Sequence, residues 1–152
     1  MLTIKVLMKF DFTSTRKRSS IIVYDGYENK IKLYIKGADD VIKLKLHLNY
    51  NYSLLETLKS YITKLAKKGL RTLVYGFKFI DESEFSNWEK DYNSIKIEVI
   101  RNKLKANDLE AIISKIEQDI IILGVTGLED KLQDNVKECI KDCRHQCLDV
   151  YW

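Results

Sequence analysis

The sequence predicts an α+β fold, an antiparallel sheet flanked by helices, and three observations predict it. Leu2, Ile4, Val6 and Met8 alternate with Thr3, Lys5, Leu7 and Lys9, the period of a half-buried strand. Asp25-Gly26, followed by Tyr27, Glu28 and Asn29, separates two β-rich runs and is a hairpin signal. From Ser53 the spacing changes to that of a helix, with Leu54, Leu55, Leu58, Tyr61, Ile62 and Leu65 on one side.

Taken in order, the first strand runs to about Phe12, and Thr13 to Arg18 is a polar, basic connection. Ile21, Ile22, Val23 and Tyr24 form the second strand, and Lys30 to Ile35 the third, with Ile31, Leu33 and Ile35 on one face. Lys36-Gly37-Ala38-Asp39 then turns the third strand into a helix. A lysine, a glycine that lets another molecule approach the backbone, and the free amides of a helix start together suit an anionic ligand. The plain alternative is a lysine that ends a strand and a glycine that makes a turn. The Lys36 corner and the Arg16-Lys17-Arg18 corner both lie at the end of the hairpin opposite its turn, so they can face one site. Arg16, Lys17 and Arg18 fit a solvated connection and phosphate steering equally well.

Ala38 to Leu46 continues helically, and His47 to Tyr52 reads as a loop. The helix from Ser53 opens on a Ser53–Glu56 capping box and closes on Lys64, Lys67, Lys68 and Gly69. Leu70 to Ile80 reads as a strand whose first exposed side chain is Arg71. Asp81 and Glu84 start a helix with Phe85, Trp88 and Tyr92 as its stripe, and an irregular or helical stretch reaches Lys105. Asn107 and Glu110 open a further helix through Leu109, Ile112, Ile113 and Ile116. Ile120 to Val125 is a continuous apolar run, which suits a strand buried on both faces. A last helix carries Val136, Cys139, Ile140, Cys143 and Cys147, and Leu148 to Trp152 reads as a strand without neighbours, so a fragment of a longer protein is expected.

With 152 residues, 45% of them apolar and 11% aromatic, the composition excludes a disordered chain. The net charge of +4 conceals a gradient. Lys5 to Lys45 holds ten basic and five acidic residues, and Asn107 to Asp149 five basic and ten acidic, so the N-terminal half is suited to phosphate, nucleic acid or an anionic membrane surface. No leader is visible and the longest apolar run, Ile120 to Leu123, is too short to span a bilayer, so a soluble chain is expected. Three cysteines on one prospective helix, without secretory context, read as reduced thiols on a buried stripe. They lack a fourth metal ligand, because His145 points to another side of the helix from Cys147, and no metal site is expected.

Phe12, Lys36 and Arg71 occupy equivalent places at strand ends. A ring, an ammonium and a guanidinium that converge there would serve a nucleotide, with stacking for the base and charge for phosphate. Four phrases carry a more specific signal: Phe12-Thr13-Ser14-Thr15-Arg16-Lys17-Arg18-Ser19-Ser20, Lys36-Gly37-Ala38-Asp39, Gly69-Leu70-Arg71-Thr72-Leu73 and Glu129-Asp130-Lys131-Leu132-Gln133-Asp134. In this order and spacing they resemble the P4-type ATPases, the phospholipid-transporting ATPases or lipid flippases. Ser19, Lys137 and Asp40 stand where that family usually has methionine, proline and threonine.

The resemblance implies a nucleotide-binding domain over residues 1–128. Residues 129–152 would then be the hinge and the start of an α/β phosphorylation domain, its next helix and strand. It implies ATP as ligand, with Phe12 stacked on adenine, Lys36 in the pocket and Arg71 at the phosphate side, and Ser14 and Gly37 as further candidates. It places the phosphorylated aspartate and the Mg2+ ligands outside this chain, which alone should not turn over and holds no catalytic residue. The implied parent is an ATP-driven phospholipid translocase at the cytosolic face of a membrane. Its implied partners are ATP, its own phosphorylation domain and membrane helices, a phospholipid and an accessory subunit, and no nucleic acid. Two alternatives stay open: a flippase-like half fused to a guanylyl cyclase, and a basic nucleic-acid module using Tyr24, Tyr34 and the Lys/Arg strands as a stacking platform.

Overall fold

The computed structural model describes residues 3–101, 105–129, 131 and 133–145. Strands β1 (Ile4–Phe10), β2 (Arg18–Asp25) and β3 (Lys30–Gly37) come first, then helices α1 (Asp39–Lys43) and α2 (Leu48–Lys67). Strand β4 (Arg71–Ile80), helices α3 (Glu82–Ile100) and α4 (Ala106–Ile116), strand β5 (Ile121–Leu128) and helix α5 (Val136–His145) follow. The strands form one sheet in the order β1-β2-β3-β4-β5, and every neighbouring pair is antiparallel. The α+β architecture with an antiparallel sheet and flanking helices is the predicted one.

The hairpin follows its local chemistry. Asn29 takes φ 54 in the turn, a conformation that asparagine tolerates better than most residues, and the Asp25 carboxylate accepts from the Tyr27 amide. Lys32, buried on β3, reaches back to Asp25 and Glu28 at 2.8 and 2.7 Å. The Lys32 hydrogen bond, seconded by the Tyr27 amide, holds the Asp25 carboxyl below its ordinary range. From that turn the register is unbroken to Ser19↔Lys36 and Arg18↔Gly37 at the far end.

The core lies on one face of the sheet. Ile22, Leu33, Ile35, Val74 and Ile80 are buried beneath Phe85 and Trp88 of α3, Ile112, Ile113 and Ile116 of α4, and Leu58 of α2. Phe10 meets Trp88 edge-on at 6.1 Å, and the Trp88 indole donates to the Ile112 carbonyl at 2.9 Å, so one residue joins β1, α3 and α4. Full burial of such side chains contributes about 1.5–3 kcal/mol each.

Several boundaries differ from the expectations, each for a physical reason. β1 ends at Phe10, leaving Asp11 and Phe12 in the connection. The helix after Lys36 is only five residues long, and Asp39 and Asp40 already occupy its first turn, with Lys43 paired to Asp39 at 2.8 Å. It turns out at Leu44 because the chain is recruited elsewhere: His47 donates to the Ile120 carbonyl, and Ile120 to that of Lys45. The expected loop at 47–52 belongs largely to α2, which starts at Leu48, so Ser53 lies within the helix and does not cap it. The next start is capped from Asp108, whose carboxylate accepts the Lys105 amide at 2.8 Å, rather than from Asn107.

Ile120–Val125 is the clearest correction. β5 is an edge strand, not a doubly buried one, and Leu123 is 58% exposed. Its apolar run packs one side toward the core through Ile122 and Val125 and leaves the other open. The cysteine stripe is not buried either: Cys139 is exposed and Cys143 half-buried, the latter with its thiol pushed up by desolvation and by Cys139. Cys147 and the strand expected at 148–152 lie outside the described residues.

Candidate functional site

Phe12, Lys36 and Arg71 line one cavity of ≈ 640 Å³. β3 places Lys36 on the face opposite the core, since its neighbours Ile35 and Gly37 point inward. Cross-strand register brings Ser19 beside it on β2 and Tyr75 on β4. Arg71 starts β4, and its exposed side chain enters the same cavity two positions before Leu73. Phe12 projects from the connection and is 61% exposed. A second groove of ≈ 520 Å³ shares Phe12, Ser19 and Lys36 with the first and continues over Ile21, Tyr34, Tyr75 and Leu123.

Of the further candidates, Gly37 lines the cavity and Ser14 does not; Ser14 is exposed in the Thr13–Arg16 turn. Gly37 is required for a reason other than ligand approach. A Cβ there would lie 2.7 Å from the Arg18 Cβ and 2.8 Å from the Lys17 carbonyl oxygen, so the missing side chain makes room for the neighbouring strand.

The basic triplet splits. Lys17 lines the cavity, exposed, with a φ of 51 and a long 3.9 Å contact to Asp40. Arg16 and Arg18 are buried, at 8% and 6% exposure, and line neither cavity. Both close on Glu117, which is fully buried. The Glu117 carboxylate accepts from Arg16 Nη2 at 2.6 Å, Arg18 Nε at 2.6 Å and Ser20 Oγ at 2.5 Å. Arg18 Nη2 also donates to Glu110 at 2.5 Å, and Arg16 Nε lies 2.8 Å from Glu110 Oε2 as an ion pair without hydrogen-bond alignment. Lys45 completes the group, 3.7 Å from Glu117 and 2.8 Å from Ser114 Oγ. Burial, with Arg18 nearby, pushes the Lys45 ammonium below its ordinary value. Removing one partner from a buried ion pair of this kind costs about 3–5 kcal/mol.

Sequence reasoning missed Glu117, although a signal existed. Arg18, Ser20 and Ile22 alternate on β2, and an acid follows directly on Ile112, Ile113 and Ile116, so both halves of the pair sit in core registers.

Among the described residues the cavity lining holds Lys17, Lys36 and Arg71 and no carboxylate, beside the apolar Phe12, Leu73 and Leu128. Chemically this suits an anion attached to a flat apolar group. It does not suit a divalent cation such as Mg2+, and among the described residues no cluster of three metal-ligating side chains occurs. The stacking platform of the nucleic-acid reading is not built. Tyr24 stands opposite Ile31 on the core side and bonds Asn29, whereas Tyr34 stands opposite Ile21 on the other face.

The family model for the P-type ATPase cytoplasmic domain N matches residues 3–135. Phospholipid-transporting ATPase IC of Homo sapiens is 44% identical over 136 residues, which cover 90% of this chain and 10% of that protein. Probable phospholipid-transporting ATPase 4 of Arabidopsis thaliana is 40% identical over 135 residues, 89% of this chain and 11% of the relative. Phospholipid-transporting ATPase tat-1 of Caenorhabditis elegans is 40% identical over 133 residues, 86% and 11%. The chain thus spans about a tenth of the length of the curated relatives it matches. No helix among the described residues is long and apolar enough to cross a membrane. With the domain matched over 133 residues in this way, the chain belongs to the P-type ATPases, as their cytoplasmic domain N, and its similarity places it with the phospholipid-transporting P4-type members.

Proposed function

We propose that this domain binds ATP between Phe12, Lys36 and Arg71 and holds it for phosphoryl transfer to an aspartate outside this chain. The observation that carries the reading is the convergence of these three residues, with Lys17, on one cavity whose lining combines cations with apolar groups. Phe12 supplies a ring face for the base. Lys36 and Lys17 supply ammonium donors, and Arg71 a fork suited to phosphate oxygens. Rate acceleration here would come from positioning, because the transferred phosphoryl group needs charge neutralisation and alignment more than acid–base chemistry. Mg2+ would ride on the phosphates and take its protein ligands from outside this chain, since the described residues of the lining offer it no carboxylate.

In the longer protein, phosphorylation and dephosphorylation would drive movement of a phospholipid across a membrane, with this domain on the cytosolic side. Residues 129–152 would lead back to the phosphorylation domain, and an accessory subunit would join the membrane part. The names of the relatives support the phospholipid-transport part of this reading.

Titration of the 152-residue chain with ATP, followed by amide chemical shifts, tests the site. Phe12→Ala and Lys36→Ala are each expected to weaken binding about 10-fold or more, with the fold retained because both side chains are exposed. Unchanged spectra at millimolar ATP would overturn the proposal. A nucleic-acid binder would instead lose affinity steeply with added salt.

A further inference from the structure

Phe12 makes no ring contact among the described residues and is mostly exposed, so packing does not fix its place. Its backbone neighbours do. On one side Arg16 Nη1 donates to the Asp11 carbonyl at 3.0 Å. On the other, the Arg16 amide donates to Thr13 Oγ1 at 3.1 Å and the Lys17 amide to the Thr13 carbonyl at 2.8 Å. The connection is therefore a bow whose two ends are tied at residues 16 and 17, with Phe12 at its crest.

Arg16 cannot serve as this tie alone, because a long guanidinium side chain has many rotamers and its ordering is costly. Two carboxylates from α4 order it: Glu117 at the helix C-cap and Glu110 two turns earlier on the same side of the helix. Glu117 also grips Arg18 and Ser20, so the bow is anchored to the start of β2 as well. Arg18 in turn backs Gly37, beside Lys36. The carboxylate is spent on these donors and does not line the cavity.

We propose that Glu117, with Glu110, is a positioning residue for the nucleotide site, acting through Arg16 on Phe12; the claim rests on the ATP reading above. The juxtaposition spans about 100 residues of sequence and links a helix on the core side to a ring on the open side.

The test is a double-mutant comparison in the 152-residue chain, reading the ATP dissociation constant of the folded protein beside its thermal midpoint. E117Q keeps the shape and removes the charge, and is expected to weaken ATP binding about 10-fold in the wild-type background but less than about 2-fold when Phe12 is already alanine. E110Q, at a partly exposed site where folding is safer, should show the same pattern at smaller size. E117D, with a shorter carboxylate, should recover part of the affinity. If E117Q and E110Q lower the midpoint yet leave ATP affinity unchanged, the positioning role is overturned and only a structural one stands. Equal losses with and without Phe12 would overturn it too. A wild-type chain that binds no ATP would overturn the ATP reading itself.

Discussion

Gly37 illustrates how much one absent methyl group decides. With Arg18 Cβ and the Lys17 carbonyl less than 3 Å from where a Cβ would stand, Gly37→Ala must push β2 and β3 apart at the end of the hairpin. The expected cost is about 1–3 kcal/mol in urea unfolding, typical of overpacking, with weaker ATP binding because Lys36 moves with the strand. The sequence marked this glycine but suggested a different reason for it. Its neighbour is Arg18, 19 positions earlier, and only the strand register reveals that contact. Lys36 and Arg71 were legible by contrast as strand ends, which can be read from local period and turn chemistry, whereas Phe12 lies two residues beyond β1 and was marked by the resemblance to known phrases.

Among the elements, the end of α2 was legible and the place of β5 was not. Gly69 adopts φ +72, its amide bonds to Ala66 and that of Leu70 to Leu65, the pair of bonds that closes a helix on a left-handed residue. Gly69→Ala meets no steric obstacle yet must hold that φ, so a loss of about 1 kcal/mol is expected in denaturant unfolding, with Gly69→Asn less harmful. Every atom involved lies within six residues, which is why the pattern could be read. Ile120 to Val125 announces only that it is apolar. Whether a strand has one neighbour or two depends on the rest of the sheet, and here α2 and β4 take one side of it while Leu123 stays open.

For the molecule as a whole, the buried group of Arg16, Arg18, Glu110, Glu117 and Lys45 predicts a pH response. Two guanidiniums balance two carboxylates, leaving Lys45 as a surplus cation, 6% exposed, facing Arg18, Glu117, Glu110 and Ser114. Its folded pKa lies below the ordinary 10.5, so between the two values the unfolded chain binds more protons and stability rises with pH. Lys45→Met should abolish that alkaline rise and, at pH 7, hold or increase stability by about 0–2 kcal/mol, as measured by urea unfolding at a series of pH values. The sequence could not disclose the group, since its members come from the connection before β2 and its first residue, the chain just after α1, and α4 with its C-cap. The sum of charges along the chain hinted at a basic N-terminal half meeting an acidic C-terminal one, and part of that gradient is consumed internally.

The Arg16–Glu117 contact also sets an order of events. The two residues are 101 positions apart, and a ribosome adding about 5–20 residues per second takes about 5–20 s to cover that distance. Throughout that interval the hairpin bearing Lys36 can already pair, while Phe12 and the arginines beside it wait for their anchor. The nascent domain would therefore acquire its cationic corner first and a settled aromatic ring last, so on the proposed ATP site competence to hold a nucleotide would arrive only after α4 has emerged.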